Sequence, residues 1–110
     1  MKFWIDDVRP APNLTYVWVK SVDDAKTVIV CAELINLKNA EPTTIPVPIE
    51  FISVDHDAGD YAKYGGDYIK LLDWLEETGR SYPIHIHSAN PVGVENMRRI
   101  IRRNGWKEIK

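Results

Sequence analysis

The chain is poor in the features that mark exported or membrane proteins. It has 110 residues and one cysteine, Cys31, which excludes an internal disulfide framework and a multi-cysteine zinc site. Its longest apolar run, Val28–Ala32, is far shorter than the ~18 residues that cross a bilayer. Near the start, the acidic pair Asp6 and Asp7 comes too early for a signal peptide. We therefore expect a cytoplasmic protein with no membrane partner.

An excess of positive charge is also absent. The 14 lysines and arginines are outnumbered by 16 acidic residues, and the net charge of −2 excludes nucleic-acid binding through charge alone. The hydrophobic share of 45% excludes a disordered chain. This length predicts a single domain, residues 1–110, with a core of its own.

Short apolar segments alternate with segments of helical spacing. Ser21 is a predicted helix cap, with Asp24 at the third helical position, although the β-branched residues 27–30 leave a strand as the rival interpretation. Asn90 and Pro91 form a second helix start. Prolines predict a loop over residues 39–48, and residues 58–66 predict a long surface loop. The predicted strands are residues 3–5, 16–19, 51–54 and 83–88, with a short edge strand within 106–109. The other predicted helix is marked by apolar residues between 68 and 75, and Gly79 is its predicted stop.

This alternation predicts an α/β fold with a mostly parallel sheet of four to five strands, covered on both faces as a three-layer sandwich. In such sheets ligands bind beyond the carboxyl ends of the strands. Tyr61 and Tyr64, in the long loop, are candidates to stack on a base, or are ordinary exposed tyrosines.

Three carboxylates follow the first and third predicted strands: Asp6, Asp7 and Asp55. Carboxylates brought together either take up protons or bind a cation, and hard oxygen ligands favour Mg²⁺ or another such divalent ion. The alternative for Asp6 or Asp7 is a turn cap before Pro10, and the two roles are compatible.

Histidines accompany the same strand ends. His56 and His87 are the predicted acid–base pair, because imidazole titrates near neutral pH. His56 is flanked by Asp55 and Asp57, and either carboxylate would orient its ring; Asp57 is the one counted among the predicted catalytic residues. His85 lies deeper in its strand and is interpreted as a buried, hydrogen-bonded histidine.

The helix start after Asn90 predicts an anion site, because its first amides lack helical partners. Gly93 would allow a ligand to approach the backbone closely, although capping alone also explains Asn90. Arg9 would meet a phosphate oxygen or pair with Asp7. With Ser88, which ends the fourth strand, the predicted phosphate-binding residues are Arg9, Ser88, Asn90 and Gly93.

Three blocks of the sequence together resemble the cyclic-phosphate processing receiver-like domain family. They are Ile5-Asp6-Asp7-Val8-Arg9-Pro10, Ser53-Val54-Asp55-His56-Asp57, and Ile86-His87-Ser88-Ala89-Asn90-Pro91-Val92-Gly93 followed by Asn96-Met97. The resemblance implies a receiver-like (flavodoxin-like) fold, truncated at the C-terminus, and a role on cyclic or terminal phosphates of RNA or nucleotides.

The resemblance also implies that Asp55 corresponds to the receiver phospho-acceptor and Ser88 to the hydroxyl residue after strand four. A receiver lysine after strand five has no secure counterpart, since Lys107 and Lys110 lie at the end of the chain.

Two functions follow from this set of residues. The first is a metal-assisted phosphoesterase that opens a cyclic phosphate of a small molecule or an RNA end. The alternative is a receiver-like module that binds phosphate or accepts a phosphoryl group without turnover.

Overall fold

The computed structural model describes residues 1–38 and 48–110, so residues 39–47 of the predicted loop 39–48 lie outside it. No helix within these ranges is both long and apolar enough to cross a membrane. The strands are β1 (Lys2–Ile5), β2 (Tyr16–Val19), β3 (Phe51–Val54), β4 (Ile84–Ile86) and β5 (Glu108–Ile109), and the helices are α1 (Val22–Lys38), α2 (Ile69–Glu77) and α3 (Pro91–Asn104).

The five strands form one all-parallel sheet in the order β2-β1-β3-β4-β5. This order confirms the predicted receiver-like α/β fold. Because the strands are parallel, the residues after β1, β3 and β4 meet at one edge.

All three helices contribute to a single hydrophobic core on one face of the sheet. The connections from β2 to β3, β3 to β4 and β4 to β5 all step in the same direction across the sheet, so right-handed crossovers place their helices on the same side. The buried strand residues that share this core with the helices are Phe3, Ile5, Val19, Ile52, Val54 and Ile84.

The opposite face of the sheet is aromatic and polar. Trp4 is paired in register with Trp18 and Ser53, so these side chains point the same way, away from the helical core. The Trp4 indole donates to the Arg9 carbonyl at 2.8 Å, which holds the connection between β1 and β2 against this face. Among residues 1–38 and 48–110, helices therefore cover one face, whereas the sequence predicts helices on both.

Local capping follows the sequence signals. The Ser21 hydroxyl accepts from the Asp24 amide at 3.1 Å, and the helix that begins there is α1, not the rival strand. The segment predicted as a long loop contains a short 3₁₀ helix, Gly59–Lys63. Gly105 ends α3 with φ of 68°, a left-handed conformation that glycine adopts without strain.

Candidate functional site

The three predicted carboxylates meet at the carboxyl edge of the sheet. One oxygen from each of Asp6, Asp7 and Asp55 lies within 4.8 Å of the other two. Asp6 and Asp7 follow β1, and Asp55 follows the neighbouring β3, with its amide bonded to the Ile5 carbonyl at 3.0 Å. The parallel pairing of two adjacent strands thus builds the acidic cluster.

Asp6 is the most enclosed member of this cluster, with a side chain only 1% exposed. Its Oδ1 accepts from the amides of Val8 and Arg9 at 3.1 and 2.9 Å, so the turn role that the sequence suggests is present. Its Oδ2 lies 2.9 Å from Nε2 of His87. Burial alone would raise the pKa of Asp6, but the hydrogen bonds from Arg9, His87 and Val8 together lower it. Asp6 is therefore held as a carboxylate.

Asp7 has the opposite electrostatic setting. Burial, together with the charge of Asp6, raises the pKa of the Asp7 carboxyl. A β-carbon added to Gly59 would collide with Oδ2 of Asp7, so the glycine leaves room for this carboxylate. Within the described ranges, neither Asp7 nor Asp55 forms an ion pair with a cationic side chain. Three hard oxygen donors with excess negative charge fit a divalent cation.

His56 stands beside the cluster, next to the start of α3. Its Nδ1 lies 2.8 Å from Oδ1 of Asp57, and its side chain is 16% exposed. The ring packs on Gly93, where an added β-carbon would lie 2.5 Å from Cδ2 of the imidazole. The His56 carbonyl accepts from the Tyr68 amide at 3.0 Å, which anchors the residue to the start of α2. Asp57 therefore orients this ring as the sequence suggests, and Nε2 remains for chemistry.

His87 has a different environment, since its side chain is only 6% exposed. Its ring stacks on Trp4 with centroids 3.7 Å apart and planes 4° from parallel. Nε2 contacts Asp6, and Nδ1 lies 2.8 Å from the Ser53 hydroxyl, which in turn lies 2.7 Å from Nδ1 of His85. Burial lowers the pKa of His87 despite the neighbouring Asp6 carboxylate.

These contacts form one continuous polar chain: Asp6, His87, Ser53, His85. A neutral His87 that donates from Nε2 to Asp6 must accept from the Ser53 hydroxyl at Nδ1, and Ser53 then accepts from His85. The chain fixes the tautomer of His87 and saturates both of its ring nitrogens.

The predicted phosphate-binding residues surround the start of α3. Oδ1 of Asn90 accepts from the Gly93 amide at 3.1 Å, and its carbonyl accepts from the Val94 amide at 2.9 Å. Among the first amides of α3, those of Gly93 and Val94 are thus bonded to the cap itself. The close approach at Gly93 is made by His56.

Ser88 and Arg9 keep hydrogens for further bonding. The Ser88 hydroxyl oxygen accepts from the Asn90 amide at 3.1 Å, so its own hydrogen is available. One guanidinium nitrogen of Arg9 donates to the His87 carbonyl at 3.1 Å, which ties this exposed residue to the end of β4.

Sequence reasoning missed Ser53 and the stacking role of Trp4. Ser53 is completely buried, in the middle of an apolar strand. Ser53 pairs in register with His85, so its side chain points to the same face of the sheet as those of His85 and His87. A polar residue on that face of an otherwise apolar strand is the signal that could have found it.

The comparisons with known proteins agree with this geometry. The chain matches the family model described as the cyclic-phosphate processing receiver domain over residues 1–103. No curated protein and no solved structure matches. The match covers most of the chain and confirms the resemblance seen in the three sequence blocks. The protein belongs to the cyclic-phosphate processing receiver domain family.

Proposed function

We propose that the protein is a phosphoesterase that binds a nucleotide-type cyclic phosphate at the acidic cluster and opens it by hydrolysis. The description of its family supports a cyclic phosphate as the substrate class. The observation that carries the proposal is the setting of His56, a partly exposed imidazole held by Asp57 at 2.8 Å beside three convergent carboxylates.

His56 acts as the base in this reaction. Water adds to phosphorus as one of the two ring P–O bonds breaks. The water proton passes to Nε2 of His56, and the departing oxygen takes a proton from solvent, which leaves a phosphate monoester. Asp57 accepts the Nδ1 hydrogen and so selects the tautomer in which Nε2 carries the lone pair that takes up this proton. A positioned base typically contributes ~10²–10⁴-fold in rate.

Asp6, Asp7 and Asp55 would hold a divalent cation such as Mg²⁺, since each offers a hard oxygen ligand. When bound, such an ion supplies positive charge next to the phosphate. The Ser88 hydroxyl, the Asn90 side chain and the Arg9 guanidinium lie near the same edge and provide the further contacts to the phosphate oxygens.

We assign His87 a positioning role, although the sequence suggests an acid–base role for both histidines. Both of its ring nitrogens are engaged, by Asp6 at 2.9 Å and by Ser53 at 2.8 Å. Proton transfer to substrate would require this enclosed ring to leave both partners. His87 instead holds the Asp6 carboxylate in place.

Hydrolysis of adenosine 2′,3′-cyclic phosphate, with Mg²⁺ and with a chelator, tests the proposal. We expect His56→Ala to lower kcat by ~10²–10⁴-fold and Asp57→Asn to lower it less. Asp60→Asn is the matched control, because this exposed carboxylate in the same segment is not part of the cluster. Full activity in His56→Ala would contradict the assignment.

A second candidate is a phospho-accepting module that uses Asp55 without turnover. The position of Lys110 favours it: this residue directly follows β5, at the same edge of the sheet where Asp55 follows β3. Treatment with acetyl phosphate and Mg²⁺ would then add the mass of one phosphoryl group, and Asp55→Ala would abolish the adduct. Hydrolysis of the cyclic phosphate without an adduct favours the phosphoesterase.

A further inference from the structure

A groove of about 500 Å³ opens along the edge strand β2. This volume is within the ~300–1,000 Å³ of typical small-molecule sites. Its apolar wall is formed by Val17 and Val28, and the side chains of Trp18 and Tyr61 line it as well. Lys20 and Asp24 add one charge of each sign.

The two aromatic walls are each tied to the acidic cluster. The Trp18 indole donates to the Asp6 carbonyl at 2.8 Å. Tyr61 lies in the 3₁₀ helix that begins at Gly59, the glycine that makes room for Asp7. Trp18 therefore connects the groove to the backbone of Asp6, and the 3₁₀ helix connects it to the glycine beside Asp7.

Trp18 is 39% exposed, an unusual solvent exposure for the largest aromatic side chain. The Lys20 ammonium lies 4.7 Å from the Trp18 ring centroid and 5.9 Å from that of Tyr61. Cation–π contacts at exposed sites are weak, so the flat ring of a ligand can displace the Lys20 ammonium from the face of Trp18 and from that of Tyr61. The displaced ammonium would then be free to contact the phosphate.

We infer that this groove binds the base of a nucleoside 2′,3′-cyclic phosphate by stacking on Trp18 and Tyr61. The inference rests on the proposed function and adds to it the surface that binds the base. Asp24 provides an acceptor for an exocyclic amine, and the apolar wall excludes water from the base. Stacking surfaces of this kind accept any base, since every base has a π face.

Binding of two probes tests the groove: adenosine 2′,3′-cyclic phosphate and the base-free glycerol 1,2-cyclic phosphate, both with Mg²⁺. We expect the adenosine probe to bind at least about tenfold more tightly than the glycerol probe. Tyr61→Leu should remove most of that difference and leave the affinity for the glycerol probe unchanged. Tyr64→Leu is the matched control, because Tyr64 is 48% exposed, has a lysine over its ring at 5.2 Å and does not line the groove.

A second variant tests the groove without removing an aromatic wall. Thr27 is an exposed groove residue of α1, so Thr27→Trp fills the space with little effect on the core. It should weaken binding of the adenosine probe alone.

Equal affinity for the two probes, unaffected by either variant, would overturn the groove assignment while leaving the proposed function intact. Failure of both probes to bind would overturn the function and the groove together. A dimer that Thr27→Trp disrupts, with equal affinity for both probes, would overturn the inference in favour of chain pairing along β2.

Discussion

Substitution of Gly93 by alanine should change the sign of its effect on stability when His56 is also removed. The added methyl group would lie 2.5 Å from Cδ2 and 2.9 Å from Nδ1 of the His56 ring. Ordinary carbon contacts are about 3.5–4.0 Å, so the ring must move by about 1 Å. Overpacking of this kind costs about 1–3 kcal/mol.

The same substitution improves the helix itself. Gly93 is in the first turn of α3, and alanine is favoured over glycine by about 0.8–1.0 kcal/mol in a helix interior. In the His56→Ala background the clash is gone, and Gly93→Ala should stabilise the protein by about 0.5–1 kcal/mol. In the wild-type background the clash should outweigh this gain, so that the substitution destabilises the protein. The expected coupling energy is about 1–3 kcal/mol.

Urea unfolding of the wild type, the two single variants and the double variant, followed by tryptophan fluorescence, measures this coupling. Val92→Ala is the matched control, because Val92 is in the same turn and 71% exposed, and its effect should be equal in both backgrounds. If Gly93→Ala changes the free energy of unfolding by the same amount in both backgrounds, within about 0.5 kcal/mol, the packing of His56 on this helix is refuted. If the packing is as described, Gly93→Ala also lowers hydrolysis of the cyclic phosphate.

Three other predictions follow from single contacts. Ser53→Ala should destabilise the fold by about 1–3 kcal/mol in urea unfolding, because one ring nitrogen each of His87, which is nearly enclosed, and of the half-buried His85 loses its partner. Asn90→Ala should cost about 0.5–2 kcal/mol in the same assay, because the cap of α3 is lost, and a cost near zero would contradict the capping role. Arg80 lowers the pKa of Glu33 below its ordinary value of 4.5, so this pair's stabilisation is present above that pH and is lost as pH falls through the folded pKa. Melting temperatures measured from about pH 6 to about pH 3 should therefore fall less steeply in Glu33→Gln.

The strands, their parallel pairing and the acidic cluster were accessible from sequence because all three depend on simple rules. Apolar runs give the strands, alternation with helices gives parallel pairing, and parallel pairing brings Asp6 and Asp55 to one edge. The caps at Ser21 and Asn90 were accessible for a similar reason, because they depend on neighbouring residues only.

The contacts of His87 were not accessible in this way. They depend on which side chains lie across the strands, and His87 is enclosed only because Trp4 and Ser53 occupy the adjacent positions on the same face. The single helical layer was deducible in principle. It requires the direction of each crossover, which follows from strand order and not from periodicity.

The hydrogen bond between Asp6 and His87 joins positions 81 residues apart. Local folding of any one segment therefore cannot bring the residues of the candidate site together. The entropy cost of closing this long loop is offset only when the central strands have assembled. A ligand that contacts site residues from both ends of the chain therefore binds only the native state, and it stabilises that state by RT ln(1 + [L]/Kd). A rise in melting temperature thus measures occupancy directly, for ligands that are never turned over as well as for substrates.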